Sequence, residues 1–531
     1  MELKISKLLK EQWLKIIILL LLKIILVVAE LGIAYILKIV LDFAGNSSTF
    51  ELWQIIVFSV VISICFIGFS LLEARVENHF LRKIKDKIYN MLYEKIMIMD
   101  FSLYEKEDKA YYISIFQNDI PHIVTDNIAV TFDIFTNIIS LVLSLAWLGI
   151  INIFVCLLIL GLSILTSLIP LFFGKSLQMA RQNYMDSEKI FISNLMDVFS
   201  FFLILRIYNF EKNAQDKCAS KSSEMNKNET KMNIKNADAR TMVFSSMLIS
   251  QVLTFLVAAI FCQKGMMVVS DLIVCVQVSG TIVNAINGLL SGVSTRMTTK
   301  PIIDKINNIL KTDNRVRELT ISNEKPNISL KNVSFSYGDK QIVNNFSFDI
   351  PYGSKVLIKG GSGCGKSTLL KLILGLYDSY SGNIEISGKE VKDIDNSLYN
   401  SLVLVTQSTM LFSDSILNNI TLGKPYDQNE LDNIIDIVGL KALIDKKENG
   451  INEIISNNGE NISGGEKQRI NLARALLRKP SVLFLDEAFA SLDAASEQSI
   501  REKLFKNDIT IIEISHKVNI SLDQFSLKIN L

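Results

Sequence analysis

The sequence predicts two unlike parts in one chain: a membrane-embedded α-helical part with six spans, then a water-facing α/β part. Three observations carry this. Of 531 residues, 49% are hydrophobic, and the mean hydropathy of +0.32 is too apolar for an ordinary soluble protein of that length. Long apolar segments are confined to the first three hundred residues. Beyond them, strand-like and helix-like runs alternate and are punctuated by glycine-rich turns.

Segments long enough to cross a bilayer run at about 13–41, 52–74, 126–149, 150–174, 240–262 and 267–290. Their connections alternate in charge, and Lys and Arg collect on the cytoplasmic side. The N-terminus carries Lys4, Lys7, Lys10 and Lys15, whereas the link from Asp42 to Glu51 has neither Lys nor Arg. The link from Glu73 to Pro121 holds Arg75, Arg82, Lys83, Lys85, Lys87 and Lys95, and residues 175–240 are basic again. Gly149–Asn152 and Gln263–Gly265 are short turns, and Arg296 and Lys300 follow the sixth span. A multi-pass protein of the cell membrane follows, with the N-terminus and the α/β part cytoplasmic. The apolar run after Trp13 is too long, and lacks the small-residue site, for a cleavable signal.

The inner links keep a helical apolar period over Arg82–Met99 and Ser187–Asn213. The spans are therefore expected to continue into the cytoplasm and to turn back near Tyr104–Tyr112 and Leu203–Lys212, where they could touch a cytoplasmic domain. Charges inside spans are costly and point to pairing or to a water-filled cavity. Lys23 and Glu30, with Lys38 nearby, share a face of the first span, and Gln277, Thr281, Asn284 and Ser291 form a stripe on the sixth. Pairing on another helix and a cavity are both open for the first face, and interhelical bonding and substrate contact for the second.

A formal net charge of +1 gives no field for nucleic acid. The six cysteines are scattered, several in apolar runs and with no C-x-x-C pair, as expected of free thiols in a reducing compartment.

Residues 301–326 turn polar and read as a linker, leaving 1–300 as the transmembrane domain and 327–531 as the second domain. Strand-like runs fall at Ile328–Phe335, Val343–Ile350, Val356–Lys359, Leu402–Thr406, Val482–Leu485 and Ile509–Ile514. After the third comes Gly360-Gly361-Ser362-Gly363-Cys364-Gly365-Lys366-Ser367-Thr368, a match to G-x-x-x-x-G-K-[ST] between a strand and an apolar-faced helix. Glycines let backbone N–H groups converge on phosphate oxygens at a helix N-terminus. Lys366 would add a charge on the β/γ-phosphates, and Ser367 would ligate Mg²⁺. Alone, the pattern is also met in flexible Gly/Ser turns. The apolar run Val482–Leu485 then ends in Asp486 and Glu487. At the C-terminal end of a buried parallel strand, Asp486 would join the Mg²⁺ shell, and Glu487 would take a proton from water attacking the γ-phosphate.

A third stretch, Asn461-Ile462-Ser463-Gly464-Gly465-Glu466-Lys467-Gln468-Arg469, resembles the signature of the ATP-binding cassette (ABC) transporter family. With the phosphate loop it makes the fold class a six-span helical transmembrane domain followed by an α/β P-loop NTPase domain. The resemblance implies that Ser463, Gly464 and Gly465 face the γ-phosphate of ATP held by an opposite cassette. It implies that Tyr337 stacks on adenine and that Gln407 reaches Mg²⁺ and the attacking water. It also implies that Ala490–Asp493 crosses a dimer interface and that His516 contacts the γ-phosphate.

Six spans with two cytoplasmic excursions look like an exporter-type half-transporter, and this implies a homodimer with two ATP sites that expels a peptide, lipid or drug-like amphipath. A nucleotide-gated sensor or immunity protein without transport, and an importer on the same scaffold, stay open. The chain departs from the family pattern at Ile462 and Glu466, which stand for Leu and Gln, and at residues 453–459, which lack the usual acidic pattern. It also ends 15 residues after His516, where further strand and helix are usual. No cysteine protease domain precedes the first span, so leader-peptide cleavage is not expected.

Overall fold

The computed structural model describes the chain apart from residues 1–2, 4, 47, 168, 313–316, 318, 321–324, 362, 457–460 and 516–521, and apart from the side chains of 6–7, 166–175 and 522. It forms two compact units, Met1–Met97 with Lys109–Thr312, and Ile98–Asp108 with Asp313–Leu531.

The first unit is helical because an apolar chain in lipid must satisfy its backbone polar groups within each segment. Among the described residues, five helices are long and apolar enough to cross a membrane: Trp13–Ala44, Leu52–Met97, Lys109–Ile151, Glu211–Gln263 and Val269–Lys311. A shorter apolar helix, Ile153–Leu165, stands where the fourth of the six expected spans falls. As the inner links suggest, Leu52–Met97 runs unbroken far past its apolar half, and Glu211–Gln263 begins well before its own.

Small residues set how closely these helices approach. Ser246, Ser250, Thr254 and Ala258 recur every fourth residue as the buried stripe of Glu211–Gln263. On Val269–Thr298, a Cβ at Gly288 would lie 2.5 Å from the Asn137 amide, and one at Gly292 would lie 2.8 Å from Ile134. Ala34, Leu148, Ile159, Ala258, Val278 and Ile282 belong to the apolar core of this unit.

Of the charges sharing a face of the first span, Lys23 and Lys38 find partners on other helices. Lys23 Nζ is 2.7 Å from Glu73, 3.1 Å from Glu77 and 3.7 Å from Asp133, and Lys38 is 2.5 Å from Asp271. The stripe on the sixth span behaves differently. Gln277, Asn284 and Ser291 are exposed in the single chain, while Val274, Val278, Ile282 and Ala285 on the other side are buried.

The second unit is built on two sheets. Strands β1 (Ile328–Tyr337), β2 (Lys340–Ile350), β4 (Ser381–Ile386) and β5 (Lys389–Glu390) form an antiparallel sheet in the order β2-β1-β4-β5. Strands β3 (Lys355–Lys359), β6 (Leu402–Val405), β7 (Val482–Asp486), β8 (Thr510–Ile514) and β9 (Leu527–Asn530) form a parallel sheet in the order β6-β7-β8-β3-β9. Strands β4, β5 and β9 are additional to the six expected.

The alternating side chains of β7 show why it reads as a continuous apolar run. Val482 and Phe484 enter one core with helix Lys366–Ile373 and the antiparallel sheet, while Leu483 and Leu485 enter a second with helices Gly464–Leu476 and Ala494–Phe505. Burial on both faces leaves the strand one functional end, where Asp486 and Glu487 emerge.

The segment Ile98–Asp108, which lies in sequence between two membrane-domain stretches, packs into this second unit. Phe101 sets its ring edge-on to Tyr377 at 6.0 Å, Lys371 bonds Glu105 at 3.0 Å, and Arg317 lies 3.9 Å from Asp100.

Candidate nucleotide site

Strand β3 delivers the chain into the glycine loop, and helix Lys366–Ile373 carries it away. Gly363 and Gly365 have φ of 80° and 98°, in the left-handed region where a side chain is strained. Gly365 is doubly restricted, because a Cβ there would lie 2.7 Å from Ile342. Lys366 is 6% exposed and folds back on its own loop, donating to the carbonyls of Gly360 at 3.0 Å and Gly361 at 2.8 Å. Its charge is thus satisfied by neutral acceptors in a glycine cradle, which a phosphate oxygen would replace with a charge-assisted bond. Cys364 Sγ lies 3.7 Å from Lys366 Nζ, and Thr368 continues into the first helical turn.

At the end of β7, the Ser367 hydroxyl stands near enough to the Asp486 carboxylate to favour its charged form. Burial pushes the Asp486 carboxyl up and the Glu487 charge adds to this, while the Ser367 hydrogen bond and the positive charges of Lys366 and Lys371 oppose it. An oxygen pair of this kind, a hydroxyl beside a half-buried carboxylate, fits the hard-oxygen preference of Mg²⁺.

Glu487 follows with φ of 50°, an uncommon conformation for a residue with a Cβ. Its N–H donates to the Ile514 carbonyl at 3.1 Å, and its carboxylate accepts from Gln407 Nε2 at 2.7 Å. Gln407 comes from just beyond β6, so the adjacent strands β6 and β7 bring these two side chains together. Tyr337, at the end of β1, is 41% exposed. Its ring meets Phe335 edge-on at 4.9 Å, and its hydroxyl donates to Tyr377 at 3.0 Å.

The signature stretch opens helix Gly464–Leu476 with a capping box. Ser463 Oγ accepts from the Glu466 N–H at 3.3 Å, and Glu466 accepts in return from the Ser463 N–H at 2.7 Å. Glu466, one of the two signature departures, is therefore structurally employed. Ile462, the other, packs against the apolar core below. Gly464 and Gly465 lie against Ser491, where Cβ atoms would come within 3.4 and 3.1 Å. Ser463, Gly464, Gly465, Arg469, Ser491 and Asp493 are among the residues around an open cavity of about 590 Å³.

The structure thus brings Lys366, Ser367, Asp486, Glu487 and Gln407 into one neighbourhood. Ser463, Gly464 and Gly465 form another, and among the described residues no hydrogen bond joins this group to the glycine loop. Ser362, His516 and residues 457–459 lie outside the described residues. Sequence reasoning missed Tyr377, which belongs to no motif, and the buried Arg501. The helical i,i+4 spacing of Glu497 and Arg501 was a signal for the latter.

Comparisons with known proteins agree with both halves. Residues 16–286 match the ABC transporter transmembrane region and residues 343–490 match the ABC transporter domain. The ATP-dependent lipid A-core flippase of Vibrio parahaemolyticus is 38% identical over 207 residues, covering 38% of this chain and 36% of the flippase. The mitochondrial iron-sulfur clusters transporter ATM1 of Debaryomyces hansenii is 43% identical over 203 residues, 37% of this chain and 29% of that protein. The chain thus spans about a third of the length of these curated relatives. The solved structure of a bacterial Atm1-family ABC exporter with ATP bound shares the fold, with a TM-score of 0.81 at 19% identity over 96% of this chain and 91% of the other. A helical transmembrane region and an ATP-binding cassette are joined in one polypeptide, in the fold of an exporter half-transporter, and the chain belongs to the ABC transporter family.

Proposed function

We propose that two copies of this chain form an ATP-driven exporter in the cytoplasmic membrane, which moves an amphipathic peptide, lipid or drug-like compound outward. Residues 1–300 are read as the transmembrane domain, 301–326 as the linker and 327–531 as the nucleotide-binding domain. The observation that carries the proposal is the division of the nucleotide site. One neighbourhood holds the phosphate loop with Asp486, Glu487 and Gln407, while the capped signature at Ser463 faces an open cavity of its own. A second copy related by a twofold axis would complete two equivalent sites. The exposed residues Phe202, Leu203, Ile207 and Tyr208, on and beside the short helix Phe202–Ile207, offer such a copy an apolar contact.

In the proposed reaction Tyr337 stacks on adenine, and the amides of residues 360–365 with Lys366 hold the β- and γ-phosphates. Ser367, Asp486 and Gln407 would hold Mg²⁺, which would supply charge neutralisation to the phosphates. Glu487, oriented by the Gln407 amide, takes the proton of the attacking water. The partner's signature Ser hydroxyl and Gly amides stabilise charge developing on the γ-phosphate oxygens. His516 would join them from beyond β8. Closure of the two cassettes on ATP biases the membrane domain toward an outward-facing state, and hydrolysis releases it.

The polar stripe Gln277, Asn284 and Ser291, exposed in the single chain within the stretch read as the sixth span, supports a wet cavity or a partner at that face. The lysine distribution supports a cytoplasmic cassette. Replacing Glu487 with Gln tests the reading. Steady ATPase activity should vanish while ATP binding survives, and undiminished turnover would refute the assignment. ATP-dependent accumulation of a compound in inside-out vesicles separates an exporter from a sensor, and its direction separates it from an importer.

A further inference from the structure

Behind Glu487 the cassette buries a charge cluster that no step above uses. Arg501, on helix Ala494–Phe505, is 6% exposed. Its Nε and Nη2 donate to the two carboxylate oxygens of Glu513 at 3.2 and 2.6 Å, and Nη2 also donates to Glu497 at 2.7 Å. Both carboxylates are buried. The guanidinium carbon of Arg501 also lies over the buried ring of Phe489, 4.9 Å from its centroid. Buried ionic clusters are commonly no more stabilising than apolar residues of the same volume, so what this one touches is its informative property.

It touches three segments of the hydrolytic machinery. Glu513 sits on β8 beside Ile514, whose carbonyl receives the Glu487 N–H. Glu497 and Arg501 lie on the helix that Asp493 caps through the Ser496 N–H at 2.9 Å. Phe489 lies between Glu487 and Ser491 in a doubly turned stretch. Ala490 N–H bonds the Glu487 carbonyl at 3.1 Å, and Leu492 N–H bonds the Phe489 carbonyl at 3.2 Å. From that stretch the Ser491 N–H reaches Gln468 of the signature helix at 2.9 Å. A left-handed φ at Glu487 persists only where the surroundings over-determine it.

We propose that Arg501 is a positioning residue for ATP hydrolysis. Its guanidinium, forked on Glu513 and bonded to Glu497, clamps the Phe489 ring and so holds the turn that aims Glu487 and seats Ser491 against the signature helix. This rests on Glu487 being the base. Only arginine can fork two carboxylate oxygens and still present a flat cationic face to a ring.

The test uses the full chain in lipid, with steady-state ATPase kcat and KM and the thermal midpoint of three variants. Arg501→Lys and Phe489→Leu should each lower kcat about tenfold, with KM for ATP within about twofold, the factor expected when a desolvated cation–ring contact is lost. The apolar triple variant E497L/R501M/E513L should keep the parental midpoint and still show the kcat loss. Parental kcat in the folded triple variant would mean a purely structural cluster and would overturn the proposal. So would a change confined to KM. If the triple variant fails to fold, Phe489→Leu decides, because it leaves every charge in place, and parental kcat there also overturns the clamp. Glu487→Gln assayed in parallel keeps the two readings apart: turnover in that variant refutes the base, whereas parental kcat in Phe489→Leu beside an inactive Glu487→Gln refutes the clamp alone.

Discussion

Tyr377 donates its phenolic hydrogen to Glu105 and accepts, on the same oxygen, the hydroxyl of Tyr337. A single side chain thus joins the candidate adenine-stacking residue to the short helix Phe101–Tyr104 that docks on the cassette. Removing a hydrogen bond to a charged group costs about 1.5–3 kcal/mol. Tyr377→Phe should therefore speed local amide exchange at Leu103, Tyr104 and Glu105 by at least roughly tenfold. Exchange unchanged at those amides would show that the bond does not hold the segment.

The same contact should have a pH signature. Burial alone would raise the Glu105 carboxyl, but the hydrogen bonds from Tyr377 and Lys371 and the charge of Lys371 outweigh it and hold the group below the ordinary 4.5. The folded value is the lower one, so the contribution to docking is complete above the unfolded value and is lost only as pH falls through the folded value. Exchange protection of Phe101–Glu105 should survive mild acidification and fail below the ordinary carboxylate range. Glu105→Gln should abolish that transition, and a transition persisting in the variant would assign it to another group.

How far the sequence discloses these features depends on the range of the interaction that makes them. The run Val482–Leu485 announces a doubly buried strand because every residue on it is apolar. Strand β4 does not, since it opens Ser-Gly-Asn with its first residues exposed, and β9, with alternating half-buried and exposed residues, offers only a weak period. The glycine loop declares its strand and helix because its neighbours in sequence are its neighbours in space. Tyr377 and Glu105 are 272 residues apart, and no local pattern links them. Lys23 was legible as a costly charge, but its partners were not, because Glu73 and Glu77 follow the apolar stretch of a helix that runs unbroken past both.

The capping box at Ser463 makes the Glu466 departure testable. The N3 side chain must accept the Ser463 N–H, and glutamine does this as well as glutamate. Glu466→Gln should leave the thermal midpoint unchanged and ATP turnover within about twofold of the parent, whereas Glu466→Ala should lose about 1 kcal/mol of cassette stability, by analogy with other cap deletions. Equal stability of the two variants would show that the reciprocal bond contributes nothing.

The buried ammonium of Lys23 between Glu73 and Glu77 calls for the opposite expectation. Neutralising one member of a buried ion cluster strands its partners, at about 3–5 kcal/mol. Lys23→Met should sharply lower the yield of folded protein in detergent, and Lys23→Met combined with Glu73→Gln and Glu77→Gln should restore much of it. A fully stable single variant would mean that water reaches these carboxylates.

The glycine loop provides the last test, because Lys366 is held by Gly360 and Gly361 of its own loop. In the proposed dimer each loop works only against a partner's Ser463, so closure must be shared between the sites. Mixed dimers carrying Lys366→Ala in one subunit should then lose well over half of the parental turnover, because the intact site cannot cycle beside an empty one. Each deleted charge-assisted phosphate contact weakens ATP binding by about 1.5–3 kcal/mol or more, enough to leave the altered loop largely empty near the parental KM. Retention of half the parental rate would mean two independent sites, and with them a mechanism in which ATP does not act by joining the cassettes.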